Sequence, residues 1–211
     1  MGMSGELRYV RAPAPVHFPS EAEVPETKQH FRLRTLLYEF LAMAFADRAT
    51  IGCDQFVYWD PTDPKACLAP DAFVRLGEPE HLFRSWKVWE RGAPQLAIEV
   101  ISDADERDRD WDAKLARYQR LGVTELLRFD PNSPDSQSLR IWDSLGDDLV
   151  ERQLTDAVAP SRVLPGYWRI VASAELGPTL RLSHDLLGES LYPTPNERIR
   201  DLEEQLRRRG P

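Results

Sequence analysis

The chain has 211 residues, 42% hydrophobic and 29% charged, which suits one domain of ordinary size and excludes collagenous, low-complexity and wholly disordered organisation. Its 27 lysines and arginines against 35 aspartates and glutamates leave a net charge of −8, which argues against a general nucleic-acid coat and confines phosphate contacts to local basic clusters. The longest apolar run, Phe40 to Ala46, is seven residues where a membrane span needs roughly 18 to 20, and no basic-then-apolar leader is visible, so a cytoplasmic location without membrane contact is expected.

Residues 1–25 carry Pro13, Pro15, Pro19 and Pro25 without periodicity, the pattern of an extended N-terminal arm. From Thr27 to Asp47, Phe31, Leu33, Leu36, Leu37, Phe40, Leu41, Ala44 and Phe45 recur at three and four residues, which predicts an amphipathic helix with a broad buried stripe. Cys53 and Cys67 form no disulfide framework and no CxxC pair, so reduced thiols are the default. Short β-type runs follow at Gln55 to Trp59, ended by Asp60-Pro61, and at Ala72 to Leu76, ended by Gly77. The segment Gln95 to Ile101 reads as a central strand buried on both faces, and Glu99 is its anomaly.

A helix over Asp108 to Leu121 puts Trp111, Leu115 and Tyr118 on one face, with Gly122 at the C-cap position; a strand over Glu125 to Phe129 comes next. Alternation over Leu139 to Trp142 and Val150 to Leu154 predicts an antiparallel extension. Thr194-Pro195-Asn196-Glu197 is a helix start, and Ile199, Leu202 and Leu206 make a thin apolar seam behind it. The expected organisation is an arm over 1–25, a mixed α/β domain over 26–190 and a C-terminal helix over 191–211.

A carboxylate inside a buried strand persists only where a cation, a metal or hydrogen bonds offset its desolvation. Asp71, at the head of a neighbouring strand, can reach the same sheet edge as Glu99, and two such carboxylates suit a hard divalent ion such as Mg²⁺. Lys114 leaves the rim of its helix's buried face, at roughly 300° where Trp111 is zero, and can lean toward Glu99. The alternative for Lys114 is an exposed i,i+4 pair with Asp110, which needs no chemistry.

Four blocks in this order, Ala69-Pro70-Asp71-Ala72-Phe73-Val74, Leu96-Ala97-Ile98-Glu99-Val100-Ile101-Ser102, Asp110-xxx-Lys114-xxx-Tyr118-xx-Leu121-Gly122-Val123 and Arg128-Phe129-Asp130-Pro131, resemble the Uma-two-like restriction endonucleases of the PD-(D/E)XK nuclease superfamily. The resemblance spans roughly residues 25 to 185. It implies a restriction-endonuclease-like core, a mixed β-sheet flanked by helices, and metal-dependent cleavage of DNA. It also implies Asp71 and Glu99 as catalytic ligands of Mg²⁺ or Mn²⁺, with the Val100 carbonyl on the ion. Where the superfamily has a lysine two residues after the glutamate, this chain has Ile101, and Lys114 stands in the position from which a helix lysine substitutes. Acidic side chains of the Ser102 to Glu106 stretch are either solvated loop or ligands of a second ion. Glu26 and His30 flank the start of the first helix, where superfamily members often add a polar residue to the metal site; a plain helix-entry role is the simpler reading.

Two functions compete. One is a Mg²⁺-dependent endonuclease whose DNA contact falls to Arg107, Arg109, Arg117 and Arg120. The other is a catalytically silent module that keeps the fold and recruits a partner or a second copy, as a homodimer, through the C-terminal seam.

Overall fold

Thr27 opens the first helix by accepting a hydrogen bond from the His30 amide at 3.2 Å, and α1 runs Lys28–Phe45 with Leu33, Leu37, Phe40, Leu41 and Phe45 buried along one stripe. The computed structural model describes residues 26–102, 111–134, 138–154 and 158–209. The expected arm over 1–25 and residue Asp110 lie outside them.

The strands in chain order are β1 (Ala49–Gly52), β2 (Val57–Tyr58), β3 (Cys67–Leu68), β4 (Ala72–Leu76), β5 (Trp86–Lys87) and β6 (Leu96–Val100), with the short helix α2 (Val88–Arg91) before β6. Then come α3 (Trp111–Leu121), β7 (Glu125–Phe129), β8 (Leu139–Leu145) and β9 (Asp148–Glu151). The chain closes with β10 (Val158–Pro160), β11 (Tyr167–Ser173), β12 (Gly177–Ser183) and α4 (Pro195–Arg209).

Six strands form the main sheet in the order β1-β4-β6-β7-β8-β9. β6 and β7 are parallel and the other neighbours antiparallel, so the sheet is mixed. Parallel neighbours need a crossover, and α3 supplies it. Alternation sends Leu96, Ile98 and Val100 to the α1 side, where they pack with Leu127, Phe129 and Ile141, while Ala97, Leu126 and Trp142 pack under Tyr118 and Leu121 of α3. With one helix on each face, the central strand is buried throughout. Gly122, at φ 84°, ends α3 with its amide on the Tyr118 carbonyl at 3.1 Å, a left-handed position that suits glycine.

The expected strand at Gln55 to Trp59 is narrower than its composition suggests. The Gln55 side chain is drawn into a turn, accepting from the Cys53 amide at 2.8 Å, while Asp54 takes φ 71°; the ladder with β3 and β5 is confined to Val57 and Tyr58. A further sheet, β10-β11-β12, packs Trp168, Leu180 and Leu182 under α1. Fully buried Glu125 ties the sheets together: it accepts from Arg152 at 3.1 Å, Ser161 at 2.6 Å and the Arg162 amide at 3.2 Å. Cys53 and Cys67 are both free, and among the described residues no helix is long and apolar enough to cross a membrane.

α4 starts from a capping box. The Thr194 amide donates to Glu197 at 2.7 Å and the Glu197 amide to the Thr194 hydroxyl at 3.2 Å, while buried Arg181 grips the same carboxylate at 3.0 and 2.7 Å. Burial opposes ionisation of Glu197, but the Arg181 and Thr194 donors outweigh it and hold its carboxyl down at about 2. Beyond this anchor the helix is exposed: Ile199, Leu202 and Leu206 retain 53%, 42% and 70% of their surface. An isolated helix of this length is marginal in water, so Glu197→Ala should speed amide hydrogen exchange throughout residues 196–209 while leaving exchange in β6 and β7 unchanged. Equal protection of α4 in both proteins would mean that the anchor is not what holds it.

Candidate active site

Asp71 leaves the chain immediately before β4, and Glu99 stands one residue from the end of β6, both at the same end of neighbouring strands. Asp71 Oδ2 accepts from the Val100 amide at 2.7 Å, which fixes its carboxylate beside that of Glu99. Both side chains are nearly out of water, at 5% and 4% residue exposure. α3 lies across this face. Lys114 Nζ approaches Glu99 Oε2 at 3.0 Å, and the Tyr118 hydroxyl donates to Glu99 Oε1 in a very short contact. Positions 114 and 118 are one helical turn apart, so a single rigid surface delivers both groups to one carboxylate.

Burial pushes the Glu99 carboxyl upward, the Lys114 ammonium opposes that, and the Asp71 charge adds to it. Tyr118 is driven well above its ordinary range, first by burial and then by the Glu99 charge, so it remains a hydrogen-bond donor. The folded protein therefore favours a proton on Glu99 that the unfolded chain would release: ionised Glu99 costs stability as pH rises.

From the opposite side of the sheet, α1 brings His30. Its Nε2 lies 3.2 Å from both Asp71 oxygens and 2.9 Å from the Val100 carbonyl oxygen, while Nδ1 is 2.7 Å from Glu26 Oε1. Glu26 in turn is gripped by Arg34 at 2.5 and 2.9 Å, which holds its carboxyl below the usual range. Burial disfavours the charged ring, but Asp71 and Glu26 outweigh it and raise His30 to about 9. Helix entry is the task of Thr27; His30 turns inward to the carboxylates.

The donor set presented to an ion is oxygen-only: two carboxylates and the Val100 carbonyl. Among the described residues no three His, Cys, Asp or Glu side chains are grouped so as to hold a metal. Two carboxylates with the remaining positions left to water and substrate is nonetheless what Mg²⁺ commonly takes. The charge pattern fits as well, since the same oxygens already attract two cationic nitrogens, His30 Nε2 and Lys114 Nζ. A small cleft lined by Thr27, His30, Ile101, Ser102 and Asn132 opens beside them.

The profile of the Uma2 family, whose description reads "Putative restriction endonuclease", matches residues 21–175. The chain belongs to the Uma2 family. That membership supports a nuclease. A solved structure, "a putative nuclease belonging to DUF820" from Anabaena variabilis ATCC 29413, is similar at 14% identity over 65% of this chain and 74% of its own, with a TM-score of 0.44. No curated protein matches.

Asp71, Glu99, Val100, Lys114, Glu26 and His30 are thus one contiguous constellation, whereas Asp110, the alternative partner of Lys114, lies outside the described residues. Three groups escaped the reading of the sequence. Tyr118 was assigned to the buried helix face without a polar task. Arg34 and Asp54, 3.6 Å apart, flank the His30 side. The missed signal was spacing, since His30 and Arg34 share one face of α1 at i and i+4, and Glu26 stands four residues before His30, just ahead of the helix.

In the metal-free protein, a histidine raised above its ordinary value stabilises the fold fully below about pH 6.5, its unfolded value, and that stabilisation is lost as pH rises through about 9. Titration of the His30 ring by NMR should therefore show a midpoint near 9, and Asp71→Asn should move it down toward 6.5. A midpoint near 6.5 in both proteins would show that the ring is not paired with the carboxylate.

Proposed function

We propose that this protein is a metal-dependent endonuclease that hydrolyses phosphodiester bonds in DNA, with Mg²⁺ as its ion and Mn²⁺ as a substitute. The observation that carries the reading is a buried glutamate on a central strand, held between a second carboxylate and a helix lysine 3.0 Å away. A purely structural site has little reason to keep two buried carboxylates side by side, since each raises the cost of ionising the other.

Asp71, Glu99 and the Val100 carbonyl would hold the ion, which when bound polarises a phosphoryl oxygen and makes an adjacent water more acidic. Lys114, facing the same carboxylate from α3, is placed to stabilise charge developing on the phosphoryl group or to orient the attacking water. Tyr118 keeps Glu99 in one rotamer by donating to its other oxygen. His30 orients Asp71 and carries the charge that balances it, and Glu26, fixed by Arg34, keeps the ring turned inward. A second reading, a silent nuclease-fold module acting through α4, is favoured by the exposed seam on that helix; it requires none of these residues.

Two substitutions test the proposal. Glu99→Gln keeps the volume and still accepts from Tyr118, so it should abolish cleavage and weaken Mg²⁺ or Mn²⁺ binding measured by calorimetry, with metal-free stability equal or slightly higher. An unfolded Glu99→Gln protein would make the carboxylate structural. Lys114→Ala should lower turnover about 10²-fold or more at saturating Mg²⁺, the scale of losing one preorganised charge, with little change in metal affinity. Near-normal cleavage by both Lys114→Ala and Lys114→Arg would remove the lysine from the chemistry.

A further inference from the structure

The strand register extends the site sideways. Glu99 of β6 is paired with Arg128 of β7, and Arg128 with Arg140 of β8, so a carboxylate and two guanidinium side chains stand in one row across adjacent strands, on the face that α3 covers. Asp71 adjoins the row at its acidic end through the Val100 amide. Like charges directly opposite each other on neighbouring strands are destabilising, and here the Arg128 and Arg140 pair lies one strand from the candidate centre. Local rules broken in this way are expected at functional sites.

The two arginines are held differently. Arg140 lies over the Trp142 ring at 4.8 Å and is neutralised by a fork to Glu151, at 2.7 and 2.6 Å. Arg128 lies over Trp111 at 5.4 Å, and its ion pair with Asp130 is 3.7 Å long. Asp130 also accepts from the Asn132 amide at 3.0 Å and the Ser133 hydroxyl at 2.8 Å, so one carboxylate serves Arg128 and the following turn together. Trp111 also lies beneath Lys114, at 6.0 Å, so one indole at the start of α3 supports both cations on their approach to the row.

From this arrangement we infer that Arg128, laid on the Trp111 ring, binds a backbone phosphate of the nucleic-acid strand next to the one that would be cleaved beside Asp71, Glu99 and Lys114. The inference rests on the nuclease reading and extends it by a substrate contact. Neighbouring strands are roughly 4.8 Å apart, so Arg128 stands one strand spacing from Glu99, close enough to meet the same nucleic-acid strand. A planar, weakly hydrated guanidinium can meet a phosphate with two parallel N–H donors while lying flat on indole, where lysine offers a point charge. The arrangement also gives an acidic chain a local cation beside its site, where the net charge of −8 would otherwise repel the ligand.

The test is binding of a fluorescent DNA duplex by the full chain without divalent metal, so that nothing is cut, between about 50 and 200 mM salt. Arg128→Ala should weaken binding about tenfold and reduce the slope of log affinity against log salt by about 0.9, the loss of one phosphate contact. Arg128→Lys should keep most of the slope with lower affinity, and Arg208→Ala, a change on the exposed face of α4, should leave both unchanged. With Mg²⁺ present, Arg128→Ala should raise KM about tenfold with kcat nearly unaltered, the signature of lost uniform binding. If Arg128→Ala fails to fold, Arg128→Gln, which keeps length and a hydrogen-bond donor, should show the same loss of slope. A wild-type slope and KM in the folded Arg128 variants would overturn this inference while leaving the nuclease reading standing. A wild-type chain that neither binds nor cuts DNA would overturn the nuclease reading, and the inference with it.

Discussion

A glutamate with 4% exposure in the middle of a six-stranded sheet has to be compensated by its surroundings, and the arrangement of this protein around β6 follows from that requirement. Water cannot supply the compensation, because α1 and α3 seal the two faces of the strand. Cations therefore arrive by protein: Lys114 reaches Glu99 from the α3 side, and His30 reaches Asp71 from the α1 side. Each helix contributes both the apolar stripe that excludes solvent and the charge that makes the exclusion tolerable.

The two groups pull on stability in the same direction as pH rises. Burial raises the carboxyl of Glu99, so its ionisation costs the fold, and the stabilisation that His30 supplies while protonated is lost as the ring titrates. Neither pair is a strong argument for stability, since buried ion pairs often only break even against apolar replacements. Their retention is better explained by what they hold ready, an oxygen-only corner where the start of β4 meets the end of its antiparallel neighbour β6. The polar anchors elsewhere are different in kind. Glu125 with Arg152, and Glu197 with Arg181, join one sheet or helix to the next and face no cleft of the site.

Much of this was legible in the chain. The three- and four-residue spacing of Leu33, Leu37, Phe40 and Leu41 specified α1, and the apolar run around Glu99 specified a strand buried on both faces. Glu99 could be chosen because a charged group inside an apolar run is an anomaly visible in one dimension, while Asp71 and Lys114 were marked by their places at a strand head and a helix rim and by the family resemblance. The strands β10 to β12 were missed for the converse reason. Arg169 and Arg181 interrupt their apolar pattern, and only the structure shows Arg181 buried and gripping Glu197 while Trp168 fills the core. Short strands such as β3 and β5 carry two residues each, too few for any periodicity to register.

The sequence by itself determined which residues are apolar, roughly where α1 and α4 begin and end, and which carboxylates and which lysine stand out, because periods of 3.6 and 2.0 residues and local capping are properties of neighbouring positions. Tertiary structure alone decided that His30 turns inward from the first helix to the Asp71 carboxylate, that Tyr118 meets Glu99, and that Arg128 and Arg140 continue its row. Those contacts depend on strand order and register, which bring together residues 41, 19 and 29 positions apart, and no pattern along the chain encodes a distance across the sheet.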